Sequence, residues 1–166
     1  MDEILTPRLR LRRATPDDLA PLHAIMSDAE TMRFWSTPPH ADLETTRAWL
    51  ASMIATTREI SDDFIIEREG RLIGKLGAWR LPEIGFLISR DHWGQAYARE
   101  ALRAFIGYAL PHRSGHLTAD VDPRNVRCLA LLTRAGFRET GRATNTLQVG
   151  DAWCDSVYLR LEAFAP

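Results

Sequence analysis

One stretch limits what this chain can fold into more than any other. A short apolar run, Ile84-Gly85-Phe86-Leu87-Ile88, leads through a loop of small residues into the clearest helical pattern in the sequence. Ala98, Ala101, Leu102, Phe105, Ile106, Ala109 and Leu110 recur at spacings of three and four, an apolar stripe about three turns long. Pro111 marks its expected stop. The first turn of such a helix leaves several backbone N–H groups without intrahelical partners. With the helix dipole they make a site for phosphate, provided side chains leave the approach open. Gly94, Ala96 and Ala98 do leave it open. The same small residues would also let a helix pack closely on a sheet, so the turn alone permits both readings.

The flanking segments supply the layers. Leu9 to Arg13 alternate apolar and basic, the pattern of a half-buried edge strand. Thr15-Pro16-Asp17-Asp18 reads as a helix start, with Leu19, Leu22 and Met26 as the buried stripe. Asp42 can cap a second helix carrying Trp49, Leu50, Met53 and Ile54 at helical spacing. Phe64-Ile65-Ile66 and Leu72 to Trp79 flank a hairpin signal at Glu69-Gly70-Arg71, and Leu81-Pro82-Glu83 makes another turn before the strand at Ile84. After the long helix, His116 to Val121 reads as a strand and Asn125 to Ala135 as a helix stopped by Gly136. Phe137 to Gly141 and Trp153 to Leu161 form the final strand pair. This order predicts one α/β domain over residues 1–166, a mixed, mostly antiparallel twisted sheet of about seven strands flanked by four helices.

Composition removes several function classes. A net charge of -1 supplies no basic field for nucleic acid. No apolar stretch approaches the roughly 20 residues of a membrane helix, and the acidic start Met1-Asp2-Glu3 reads as no signal peptide. Cys128 and Cys154 form no disulfide framework and no metal-type spacing, and the histidines are scattered, so no metal is expected. Such cysteine usage suits a reducing cytosol, hence a cytoplasmic protein.

Two motifs in order narrow the reading further. Trp93-Gly94-Gln95-Ala96-Tyr97-Ala98-Arg99-Glu100-Ala101-Leu102 resembles the acetyl-CoA turn of the GNAT superfamily of N-acetyltransferases. Within it, the stretch is most similar to the branch that includes ribosomal-protein N-terminal acetyltransferases, where a tryptophan stands at the position of Trp93. Ala96 departs from the glycine usual at its place. Downstream, Val121 to Cys128 followed by Leu132, Arg134 and Ala135-Gly136-Phe137 resembles the family's second hallmark, an asparagine opening a helix that ends in Gly-Phe. The resemblance runs from Leu9 through Leu161.

It implies acetyl-CoA as cosubstrate and a primary amine as acceptor, joined by direct transfer in a ternary complex. The acceptor would be a protein N-terminal α-amine or the amine of a metabolite or antibiotic, and a non-catalytic CoA-binding module is the remaining alternative. Dimers are common in the family, which leaves a homodimer open. The resemblance assigns the coenzyme to Trp93, Gly94, Gln95, Ala96, Tyr97, Ala98 and Asn125, and its pantetheine arm to the backbone of Phe86, Leu87 and Ile88. One of those N–H groups would polarise the acetyl carbonyl. Cys128 is either the donor that meets the leaving thiolate or a small core residue sharing a face with Leu132 and Ala135. Glu83 either takes the amine's proton or is a solvated turn residue, with Asp120 and Asp155 as comparable candidates. Trp35 and His40 lie in the region that walls the family's acceptor pocket, near Trp49 and Trp79.

Overall fold

A computed structural model describes residues 3–163; Met1 and Asp2, part of the acidic start read above, and residues 164–166 lie outside the described residues. Strands β1 (Glu3–Leu5), β2 (Arg10–Arg12), β3 (Asp62–Arg68), β4 (Arg71–Arg80), β5 (Glu83–Ile88), β6 (His116–Val121), β7 (Arg138–Val149) and β8 (Ala152–Glu162) form one sheet in the order β1-β2-β3-β4-β5-β6-β8-β7. Helices α1 (Leu19–Met26), α2 (Leu43–Ala55), α3 (Tyr97–His112) and α4 (Val126–Arg134) flank it, with single 3-10 turns at Pro16–Asp18 and Arg90–His92.

Alternation along the strands sorts the helices into two layers. Leu117, Ala119, Val121, Val157, Leu159 and Leu161 join Ala101, Leu102 and Phe105 of α3 and Leu132 of α4 in the larger core. Leu22 and Met26 of α1, Leu50 of α2 and Leu87 of β5 form the smaller core on the other side. Local chemistry sets the helix ends: Asp42 Oδ1 accepts the Thr45 N–H at 2.8 Å, and Gly136, at φ 102°, follows α4 where a side chain would be strained.

Three expectations need correction. The Leu9–Arg13 segment is not an edge strand. β2 pairs with β3 on one side and with the short β1 on the other, so β1 is the edge. Three residues carry too little periodicity to be read in advance. Pro111 does not end α3, which runs to His112, because a proline in a last turn forfeits only one hydrogen bond. The final hairpin is also longer than read: β7 extends to Val149 and β8 starts at Ala152. Polar residues there answer to a partner strand, not to a core.

Candidate acetyl-coenzyme A site

Among the described residues only one strand pair is parallel, and it holds at a single register position, Glu83 against Thr118. Beyond that point β5 and β6 diverge and leave a wedge between them. Main-chain polar groups on β5 therefore have no partner strand on that side. The Ser89 N–H donates to the Ile73 C=O at 2.8 Å, which fixes the antiparallel phase with β4. Leu87 and Gly85, opposite Lys75 and Gly77, then direct their groups to β4. Phe86 and Ile88 direct theirs into the wedge. The Ile88 carbonyl is already taken, accepting from Trp93 Nε1–H at 2.7 Å. What remains is the Phe86 N–H and C=O and the Ile88 N–H, an edge that an extended chain of amides can pair with.

Of the three residues expected to face the pantetheine arm, Phe86 and Ile88 turn main-chain groups into the wedge and Leu87 does not. Leu87 is turned the other way, and its side chain is buried in the smaller core. Trp93 anchors the loop to the strand, so its ring N–H is committed within the protein.

The loop itself has an alternating backbone. Gly94 has φ 74° and Ala96 φ 63°, ψ 15°, both left-handed, and Ala96 is the N-cap of α3. Left-handed residues in such a turn can aim main-chain N–H groups at a common point, the kind of concavity that takes an anion, and this one lies at the head of a 16-residue helix. Ala96 adopts the geometry a glycine would supply, so the departure noted in the sequence leaves the path of the chain intact. Gln95 holds the loop from outside: its C=O accepts from Arg8 Nη1 at 3.1 Å and its amide donates to the Asp91 C=O at 3.4 Å. The Tyr97 side chain points inward, 4% exposed within the larger core, so only its backbone is available to a ligand. Ala98 is half-buried against the same core.

On the far wall, Asn125 caps α4 by accepting the Cys128 N–H on Oδ1 at 3.2 Å. Its amide NH2 has no partner among the described residues. Cys128 is half-buried and packs on the larger core, and burial pushes its thiol up to about 12. That donor is a poor acid: passing its proton to a thiolate of ordinary pKa near 8.5 would run uphill by roughly 5 kcal/mol. The thiol suits a hydrogen bond better than a full proton transfer.

At the closed end of the wedge, Glu83 lines an open groove of about 420 Å³ with Thr118, Asp120, Thr140, Tyr158 and Arg160. Its carboxylate accepts from Trp79 Nε1–H at 3.4 Å. Asp120 shares the groove. Asp155 does not: it accepts the Asn145 N–H at 2.9 Å on the outer hairpin.

Trp35 lies against β5, where a Cβ on Gly85 would meet its ring at 3.2 Å. His40 is 6% exposed and bonds through Nδ1 to Thr46 Oγ1 at 2.9 Å. Burial, and next the neighbouring His23, holds it below the ordinary histidine range. It braces the α1–α2 wall from inside and presents no surface to an acceptor. Trp79 belongs with Glu83 rather than with the aromatic group. Sequence reasoning missed Lys75, which is buried between Trp35 and Trp49. The signal was present as a lone cation in the apolar run Leu72 to Trp79.

No group of three or more His, Cys, Asp or Glu able to hold a metal occurs among the described residues, and no helix there is long and apolar enough to cross a membrane.

The splayed strands, the left-handed loop and the capped helix beyond it define an acyl-CoA-dependent transferase of α/β architecture. The acetyltransferase (GNAT) domain profile matches residues 8–138, and the chain belongs to that family. It is an acetyl-CoA-dependent acetyltransferase. A relative in Bacillus licheniformis, the uncharacterized N-acetyltransferase p20, is 26% identical over 155 aligned positions covering 85% of each chain. RimL, a ribosomal alpha-N-protein acetyltransferase solved with coenzyme A, superposes with a TM-score of 0.85 at 18% identity, covering 96% of this chain and 97% of that one. Spermidine N-acetyltransferase from Vibrio cholerae, solved with CoA and spermine, gives 0.82 at 18% identity over 95% and 97% of the two chains. At these identities the two structures testify to the fold.

Proposed function

We propose that this protein, a single domain over residues 1–166, acetylates a primary amine, foremost the α-amine of a protein N-terminus, in the manner of the ribosomal-protein branch. The observation that carries the reading is the wedge between β5 and β6, open from the single pair Glu83–Thr118 onward. Acetyl-CoA brings an activated acetyl group as a thioester; the residues of the chain bind, orient and move protons around it.

Phe86 and Ile88 hold the pantetheine arm like an added strand, and one of their N–H groups faces the acetyl carbonyl. A donor so placed lowers the barrier by roughly 3 kcal/mol. The N–H groups from Gly94 to Ala98 take the pyrophosphate at the positive end of α3. The free amide of Asn125 reaches the arm from the α4 side, and the Cys128 thiol donates a hydrogen bond toward the coenzyme sulfur. RimL is described with a disulfide between CoA and one of its cysteines, which supports a cysteine standing near that sulfur. Glu83, at the mouth of the groove, removes the amine's proton directly or through water, and Asp120 holds the incoming ammonium. Trp35 walls the acceptor side.

The test is colorimetric thiol release from acetyl-CoA in the presence of three classes of amine: serine- and methionine-initiated peptides, spermidine, and an aminoglycoside. Faster release with the peptides is the expected result. Release with spermidine alone assigns a polyamine acceptor instead. Tight CoA binding by calorimetry with no release from any amine overturns the catalytic reading.

A further inference from the structure

Lys75 sits in the middle of β4, between Ile65 of β3 and Leu87 of β5, on the face covered by α1 and α2. It is 2% exposed. Its Nζ lies 2.8 Å from Asp63 Oδ1 and 5.5 Å from the ring centroids of both Trp35 and Trp49. Asp63 is itself nearly buried, its side chain 6% exposed. The contact is poorly aligned as a hydrogen bond, since Asp63 Oδ1 has no hydrogen-bonding partner. The ammonium is therefore shared between a carboxylate and two ring faces, in the arrangement by which aromatic rings hold a cation.

Stability alone does not account for this pair. Removing two charges from water offsets much of their attraction, and well-packed apolar residues serve a core as well or better. Ile65 and Leu87, the buried cross-strand partners of Lys75, show that this part of the sheet accepts such residues. What the cation does uniquely is fix Trp35. The ring leans on Gly85, where any side chain would meet it. The Lys75 ammonium lies 5.5 Å from the centre of the same ring. Gly85 immediately precedes Phe86, whose main chain opens into the wedge. An indole pinned at that point sets the width of the acceptor's approach to the thioester. Trp49, held by the same ammonium and edge-on to His40 at 6.5 Å, locks α2 to the arrangement.

We infer that Lys75, neutralised by Asp63, is a positioning residue for the transfer reaction: it holds the Trp35 ring against Gly85 and so shapes the acceptor side of the site. The inference rests on the acetyltransferase reading above. Its direct test needs neither coenzyme nor acceptor. The emission and acrylamide quenching of Trp35 are read as the difference between a protein and its Trp35→Phe counterpart, with Lys75 intact and with Lys75→Met.

The expected result is a shifted, more quenchable Trp35 in Lys75→Met, with Lys75→Arg nearer to the parent. In turnover with whichever amine is acetylated, Lys75→Met raises the acceptor KM about tenfold and leaves the acetyl-CoA KM within about twofold. Unchanged Trp35 emission, or a lower melting temperature with both KM values unmoved, overturns the role. If Lys75→Met does not fold, Lys75→Gln takes its place: the same shift of Trp35 emission and rise in acceptor KM are expected, and an unchanged Trp35 overturns the role. Absence of transfer to any amine, with Lys75 intact, sinks the acetyltransferase reading and this role with it, even where the emission shifts.

Discussion

Ala96 offers the sharpest quantitative test of the coenzyme loop. A non-glycine residue held in the left-handed region costs about 1–2 kcal/mol, and Ala96 stands there at φ 63°. Glycine removes that cost but frees the unfolded chain, which takes back about 0.4–1 kcal/mol. Ala96→Gly should therefore stabilise the protein by about 0.8 kcal/mol. For a chain of 166 residues that raises Tm by about 2–3 °C. Gly94, at φ 74° and with nothing within 4 Å of an added Cβ, supplies the reciprocal. Gly94→Ala meets no clash, so it should lose a similar amount through backbone strain alone, and the swapped double variant should melt close to the parent. Thermal unfolding followed by circular dichroism measures all three, with CoA calorimetry alongside. If the N–H groups of this loop grip the pyrophosphate, the double variant keeps its CoA affinity because the backbone path is unchanged. A lower Tm for Ala96→Gly, or an equal loss from both single substitutions, refutes the assignment of strain to Ala96.

Two further outcomes follow from the site. Burial raises the Cys128 thiol to about 12, so at pH 8 almost none is thiolate; alkylation with iodoacetamide followed by mass spectrometry should label Cys154 and spare Cys128, and equal labelling contradicts the burial. Glu83→Gln should lower kcat by roughly a hundredfold and abolish the acidic limb of the pH–rate profile; a retained acidic limb transfers the role of base to another group, Asp120 first.

Local signals were legible wherever chemistry acts within a few residues. Asp42 caps α2 and Asn125 caps α4 because a short polar side chain reaches an N–H three residues on. The stripe from Ala98 to Leu110 forms α3 because its spacing matches the helical period. Motif order pointed to the loop from Trp93 to Ala98, where Gly94 and Ala96 are left-handed. Other placements were not legible because they depend on partners distant in sequence. His40 was expected at the acceptor surface, yet Thr46 and Trp49 enclose it. Leu87 was grouped with Phe86 and Ile88, but the phase set by Ser89 and Ile73 turns it toward β4. Asp120 and Asp155 looked equivalent until strand register put one in the groove and the other on the hairpin.

The sequence by itself determined the order of elements from β2 onward, the caps, the amphipathic faces and the loop that opens α3. All of these follow from periodicity and from which side chains can satisfy a nearby backbone group. Only the tertiary structure decided that β5 and β6 part after one register pair, that a buried lysine is shared between Asp63 and two tryptophans, and that burial pushes the Cys128 thiol up. The physical reason is common to all three: strand divergence, desolvation and cation–ring contact depend on groups tens of residues apart meeting in space, and no local pattern encodes which ones meet.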